Sequence, residues 1–356
     1  MERIIAVDPG KFAIKAATSG DPNVLTLRSK LYSLNDNESF EPQGNSVYIT
    51  YEGKNYIIGD QGNAVDQSFS KNTILHKIGV MAALSKFVKD GDAVRLILGC
   101  PASVYKDKAA RNQYRDAMTD NGNLKFETNT DQYDISIVNT LVLPESSGAP
   151  YVYPQYFKDS RVAVVDIGGL NMNFSVYNNL VLELDSMRTV NYGGYMIEDM
   201  VKDKFSGRFG VALQQADYEQ VLINDGLFKN GTILPESTEL LHELLHEFAA
   251  DISKVVKSFD YDLSLMKVLF IGGSSALLKN DIAEFIPHAM IRNDCAHVNV
   301  LGFLKVGELK SQAKQAQKSQ VVQPSQALEQ TQQAVPVQPV APVQQAVTQP
   351  VEGGAQ

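Results

Sequence analysis

Cysteine is almost missing from this chain: only Cys100 and Cys295 occur, far apart and each in a largely apolar setting. Two distant thiols make no disulfide framework, so the pattern fits a reducing compartment and two inert core residues. An excess of positive charge is missing too. With 32 basic against 41 acidic residues the formal net charge is -9, which leaves no global field to attract nucleic acid or an anionic membrane. Direct nucleic-acid binding is not expected, and any such contact would be local or pass through a partner. Long apolar runs are also absent. None approaches the roughly 20 residues that span a bilayer, and the opening "MERIIAVDPG" lacks the basic and apolar regions of a secretory signal. No membrane association is expected, and the expected location is the cytoplasm.

What is present is a chain of 356 residues, 44% hydrophobic, enough for one large core or two moderate ones, with length favouring two domains. Short stretches rich in β-branched residues, such as "RIIAVD", "GKFAIKAAT", "VRLILGC", "ISIVNTLVLPE", "RVAVVDIGG", "NMNFSVYN", "VLELDSM" and "MKVLFIGG", predict strands. "ILHKIGVMAALSKFVKD", "YMIEDMVKDKFSG" and "STELLHELLHEFAADISKVVKSF" carry apolar residues at helical spacing. The class is α/β. The expected organisation is a first domain over 1–158 with an insertion at about 19–90, and a second over 159–310 with an insertion at about 190–261. Within the first insertion, "SVYITYEGKNYIIGDQG" reads as a hairpin turning at Glu52 and Gly53. From Ser311 to Gln356 the composition shifts to Gln, Pro, Val and Ala without aromatics, which predicts a disordered tail, either a solvated appendage or a docking or spacing arm.

"RIIAVDPGKFAIKAAT" and "RVAVVDIGGLNMNFSVY" share one grammar: an apolar strand, an aspartate (Asp8, Asp166), a glycine turn and a second strand. Two such devices at the start of two similar halves suggest a duplicated domain with the hairpins facing each other. The pair suits a polyphosphate with a divalent metal. Glycine N–H groups can approach phosphate oxygens closely, while carboxylates need a cation between themselves and phosphate, a role that Mg2+ fills with carboxylate, water and phosphate oxygens. Asp8 and Asp166 would hold the hydrated metal, and Lys15 would add positive charge. Taken singly, each aspartate could equally cap a turn. A third glycine element, "KVLFIGGSSALLKNDIAEFI", passes from a strand through Gly272 and Gly273 into a helix near Ser274 and Ser275, where an anionic or flat ligand group could approach.

Together these stretches resemble the superfamily of actins, sugar kinases and large ATP-dependent chaperones. "AVDPGKFAIK" is similar to its first phosphate loop, "VVDIGGLNMNFSV" to the second, "VLFIGGSSALL" to the adenosine loop, "LVLPESSGAP" to the segment with the water-polarising acid, and "NVLGF" to the connection before the last helix. Within the superfamily the chain most resembles the ParM-type bacterial actins that segregate plasmids. The resemblance implies two ribonuclease-H-like (actin-like) domains with a nucleotide cleft between them, and ATP with Mg2+ as ligands, GTP being undistinguished. Position by position, it implies that Asp8 and Asp166 face Mg-nucleotide. Gly10, Gly168 and Gly169 would clasp phosphate with Lys15, Glu145 would orient or activate the attacking water, and Gly272, Gly273 and Ser274 would flank adenosine. Gly193 and Gly194 would form a further nucleoside-side turn. Lys11, Leu170 and Asn171 stand in the same loops and count with the nucleotide-binding set, although the family has other residues there, as it does at Asn173; Lys11 would either add a phosphate contact or point to solvent. The implied activity is an ATPase coupled to head-to-tail filament assembly, with self as one partner and a DNA-binding adaptor as another.

Two other readings compete. A small-molecule kinase shares these phosphate loops, but nothing marks an acceptor pocket; a nucleotide-binding scaffold would bind without polymerising. "HELLHEF" matches the H-E-x-x-H zinc pattern through His242, Glu243 and His246, yet no third ligand has a recognisable spacing. Leu241, Leu244, Leu245, Phe248, Ile252 and Val255 make the same segment an ordinary amphipathic helix.

Overall fold

The structure, a computed structural model, describes residues 2–68 and 70–321. Among the described residues, β1 (Glu2–Pro9), β2 (Ala13–Thr18), β3 (Leu25–Arg28), β4 (Leu31–Ser33), β5 (Ser46–Tyr51), β6 (Lys54–Gly59), β7 (Ala93–Cys100), β8 (Asn123–Glu127) and β9 (Gln132–Pro144) form one sheet. A second contains β10 (Arg161–Ile167), β11 (Met172–Asn178), β12 (Val181–Val190), β15 (Lys267–Ile271) and β16 (Ala289–Ile291), while β13 (Phe228–Lys229) and β14 (Thr232–Ile233) pair separately. The helices are α1 (Ile74–Ser85), α2 (Ala102–Lys106), α3 (Lys108–Thr119), α4 (Ala149–Val152), α5 (Pro154–Phe157), α6 (Gly194–Phe209), α7 (Gln215–Ile223), α8 (Pro235–Lys257), α9 (Gly273–Leu277), α10 (Lys279–Phe285) and α11 (Val298–Val321).

The two sheets repeat one topology. β3-β2-β1 is an antiparallel meander, and β1, β7 and β9 continue it in parallel. β12-β11-β10 is the same meander, continued in parallel by β15 and β16. The fold is α/β and built from two ribonuclease-H-like, actin-like sheets. The first sheet carries extra strands beyond β9, among them the β5–β6 hairpin with its turn at Glu52 and Gly53.

Central strands are apolar throughout because both faces are covered. On β1, Ile5 and Val7 pack with α1 while Ala6 packs with Val300 and Phe303 of α11 on the other face. On β10, Ala163, Val165 and Ile167 pack with Phe248 and Leu244 of α8, and Val162 and Val164 with Phe157 and Val298. Each large side chain among them contributes roughly 1.5–3 kcal/mol by leaving water. The first turns of α11 therefore touch both cores.

α11 runs past Ser311, where disorder was expected, to Val321. No proline or glycine interrupts "SQAKQAQKSQV", and its Ala, Gln and Lys residues favour continuing a helix already nucleated by packing. The rest of the expected tail, 322–356, lies outside the described residues. "NVLGF" is likewise not a connection before the last helix but part of its first turns. No helix among the described residues is long and apolar enough to cross a membrane.

Candidate functional site

Both aspartates end a central strand and face a partner across their own hairpin: Asp8 pairs in register with Lys15, and Asp166 with Asn173. In the first turn, the Ser29 hydroxyl donates to the Gly10 carbonyl at 2.6 Å and the Tyr195 hydroxyl to that of Lys11 at 3.1 Å. In the second, the N–H groups of Gly194 and Tyr195 donate to the carbonyls of Gly168 and Gly169 at 3.0 and 2.8 Å. Ser274 Oγ donates to the same Gly168 carbonyl at 3.0 Å. The start of α6 and the start of α9 thus hold the second turn from behind.

The turns meet. A Cβ added at Gly169 would lie 2.7 Å from that of Phe12, so only glycine lets the hairpins approach this closely. Gly272, at φ +93, is the second position with no alternative: an added Cβ would stand 2.3 Å from the Ile167 carbonyl and 2.6 Å from Asp166 Oδ1. Between the hairpins lies a cavity of about 370 Å3, within the range of small-molecule sites. Every residue that the resemblance assigned to catalysis, metal or nucleotide lines it, except Gly193. Gly193 caps α6 and lies against the backbone of Gly169 and Leu170, beneath the second turn.

Asp8, Glu145 and Asp166 are all buried. Burial pushes Asp166 up to about 7, with Glu145 and Asp8 adding to the shift while an Asn299 hydrogen bond opposes it. Asp8 is raised by burial as well, against the pull of Lys71 and Lys15. Glu145 follows Pro144 at the end of β9 and has both oxygens engaged, Oε1 by the Lys71 ammonium and Oε2 by Asn173 Nδ2 at 2.8 Å. Burial alone would lower Lys71, but Glu145 and Asp8 outweigh it and hold the ammonium above its ordinary value. Lys15 makes no ion pair among the described residues and faces the cavity. Lys11 also lines it, yet its ammonium is turned to Asp66 and the Ser70 carbonyl.

These donors suit Mg2+. Asp8 and Asp166 offer hard oxygens whose charge is uncomfortable without a cation, and Asn299 Oδ1 is buried without a partner. Among the described residues no group of three or more His, Cys, Asp or Glu side chains could cage a metal alone, the situation of an ion completed by water and phosphate oxygens.

Three contributions were not visible in the sequence. Lys71 comes from the connector between β6 and α1, which has no motif. Asn299, in the first turn of α11, donates to Asp166 Oδ2 at 2.7 Å; it stands in "NVLGF", so that motif marked the place without the role. Glu219 of α7, on the cavity rim, accepts from Arg28 of β3 at 2.5 Å, and Arg28 lies 3.6 Å over the Phe12 ring. The H-E-x-x-H histidines are elsewhere: His242 pairs with Asp225 at 2.7 Å and His246 with Asp281 at 3.5 Å, both exposed on α8. Among the described residues no third ligand joins them.

Residues 6–148 match the family described as actin like proteins N terminal domain. The fold is actin-like. Its fold is similar to a filament structure of Alp12, at 28% identity and TM-score 0.66, covering 87% of this chain and 99% of that one. It is also similar to the ParM of a 15-stranded filament from Clostridium botulinum, at 16% identity and TM-score 0.72, covering 86% and 99%. An archaeal actin homologue solved in complex with ADP aligns at 15% identity and TM-score 0.71, again over 86% and 99%. No curated protein matches this chain in sequence.

Proposed function

We propose that this actin-like chain is an ATPase that assembles head to tail into nucleotide-dependent filaments and positions DNA through an adaptor protein. The observation that carries the nucleotide reading is the cavity between two matched Asp–Gly hairpins, with an acid at its base. Gly10, Gly168 and Gly169 would receive phosphate oxygens with Lys15, while Gly272, Gly273 and Ser274 would receive the nucleoside. Asp8 and Asp166 would hold Mg2+, which when bound neutralises phosphate charge. Glu145, held in place by Lys71 and Asn173, would align the attacking water and accept its proton. The likeness to Alp12 and ParM filament subunits supports assembly, and a net-acidic chain suits a DNA role that runs through a partner.

Sedimentation and electron microscopy with Mg-ATP against Mg-ADP test the reading. Polymers with the triphosphate are expected; phosphate transfer to a sugar instead would replace it with a kinase. Glu145→Ala should retain ATP-dependent pelleting and slow phosphate release about 100-fold; normal release would remove Glu145 from the chemistry.

A further inference from the structure

Lys11 stands in the first turn, where a phosphate contact or solvent was the expected surrounding. Its ammonium instead donates to Asp66 Oδ2 at 3.1 Å and to the Ser70 carbonyl at 2.5 Å. Both acceptors belong to the connector that leads from β6 into α1. The side chain is 5% exposed, and burying an ammonium is unfavourable unless it is paired. The connector has its own bonds: Asp66 Oδ1 accepts from the Ser68 N–H at 2.9 Å, and Ser70 Oγ from that of Asn72 at 3.1 Å. Lys71 follows Ser70 directly, is 5% exposed and reaches Glu145.

We propose that Lys11 is a positioning residue that fastens this connector to the first glycine turn and thereby sets Lys71 against Glu145. The backbone carbonyl that Lys11 grips belongs to the residue next to Lys71, so the grip fixes the point from which the Lys71 side chain projects. Asp66 holds the ammonium from its other side. Two lysines then divide the work: Lys11 ties the chain, and Lys71 meets the acid. Without the tie the connector can lift away from β1 and β2, taking Lys71 out of the cavity and leaving Glu145 with Asn173 alone. The consequence for turnover rests on the ATPase reading above, whereas the fastening does not.

The test uses the full-length protein and the variants Lys11→Met, Asp66→Ala and Lys11→Arg. Without nucleotide, acetylation of Lys71 by acetic anhydride, read by mass spectrometry, should rise about tenfold in Lys11→Met and Asp66→Ala, the equivalent of one lost charge-assisted bond. It should stay at the wild-type level in Lys11→Arg, which can still donate to both acceptors. Unchanged acetylation in Lys11→Met or in Asp66→Ala overturns the fastening, whether or not the protein hydrolyses ATP; Asp66 reaches Lys11 from outside the glycine turn, so its variant covers a Lys11→Met protein that does not fold. In steady-state phosphate release, Lys11→Met and Asp66→Ala should lower kcat about tenfold with KM held within about threefold. A tenfold rise in KM for Lys11→Met with normal Asp66→Ala would make Lys11 a phosphate ligand and overturn the inference. A wild-type protein that releases no phosphate rejects the ATPase reading and leaves the acetylation result to decide the fastening.

Discussion

The two hairpins share a backbone and differ in charge. Asp8 faces Lys15 across the first, and Asp166 faces Asn173 across the second, at the same place in the register. Around Asp8 the first sheet and its connectors supply cations, Lys15 and Lys71. Asp166 also feels Lys15, but its direct contact is the neutral amide of Asn299, and Asn173 is given over to Glu145 and to Thr189, whose hydroxyl donates to it at 2.7 Å. A duplicated frame thus fixes where two carboxylates stand, while their surroundings set how readily each ionises. The first half is the charged half of the site, and the second is its backbone cradle.

The largest effect should come from removing either carboxylate. Asp8→Asn and Asp166→Asn should each slow phosphate release about 100-fold or more; an effect confined to one would break the equivalence of the halves. Next, Gly169→Ala should separate the hairpins and lower stability by about 1–3 kcal/mol in urea denaturation. Gly273→Ala, whose added carbon would meet nothing within 4 Å, should stay within about 0.5 kcal/mol. This pair of variants locates the contact between the halves at Gly169 and Phe12.

A smaller effect separates the two acids by pH. Asp166 is pushed up to about 7 from 3.8, so the folded chain binds its proton more tightly than the unfolded chain does. Without nucleotide, that contribution must destabilise the fold progressively as pH rises through this interval, with the full loss above it and none below. Asp166→Asn should flatten the slope seen in denaturant midpoints, leaving the part in the same direction that belongs to Asp8. The smallest effect belongs to the second half's exposed helix face. His242→Ala should change stability by no more than about 0.5 kcal/mol, and added zinc should leave the melting temperature unchanged.

Strands, glycine turns and both aspartates were legible because each is a local pattern: an apolar run, an acid, a break. The three named helices were legible from their spacing. α3 was not, since "KAARNQYRDAMT" is polar overall and buries only Tyr114, Met118 and Thr119 along a narrow stripe. The extent of α11 was hidden because composition alone does not show that packing of Val298, Val300 and Phe303 nucleates it. Lys71 and Asn299 were invisible as site residues for a common reason. Their roles arise where a connector and a helix start return to a distant strand end, and neither return leaves a periodic trace. The loop position of Lys11 allows a phosphate contact or a solvent-facing side chain and shows neither Asp66 nor Ser70; Asp66, which turns the side chain aside, comes from 55 residues further on.

Phe12 lies at the seam, under the Arg28 guanidinium and against Gly169, and is 37% exposed. The chain contains no tryptophan. Phe12→Trp would therefore place a single indole, free of spectral background, where the hairpins meet, and its emission would report their separation in real time. The seam that brings the two halves together is also the natural place to watch them part.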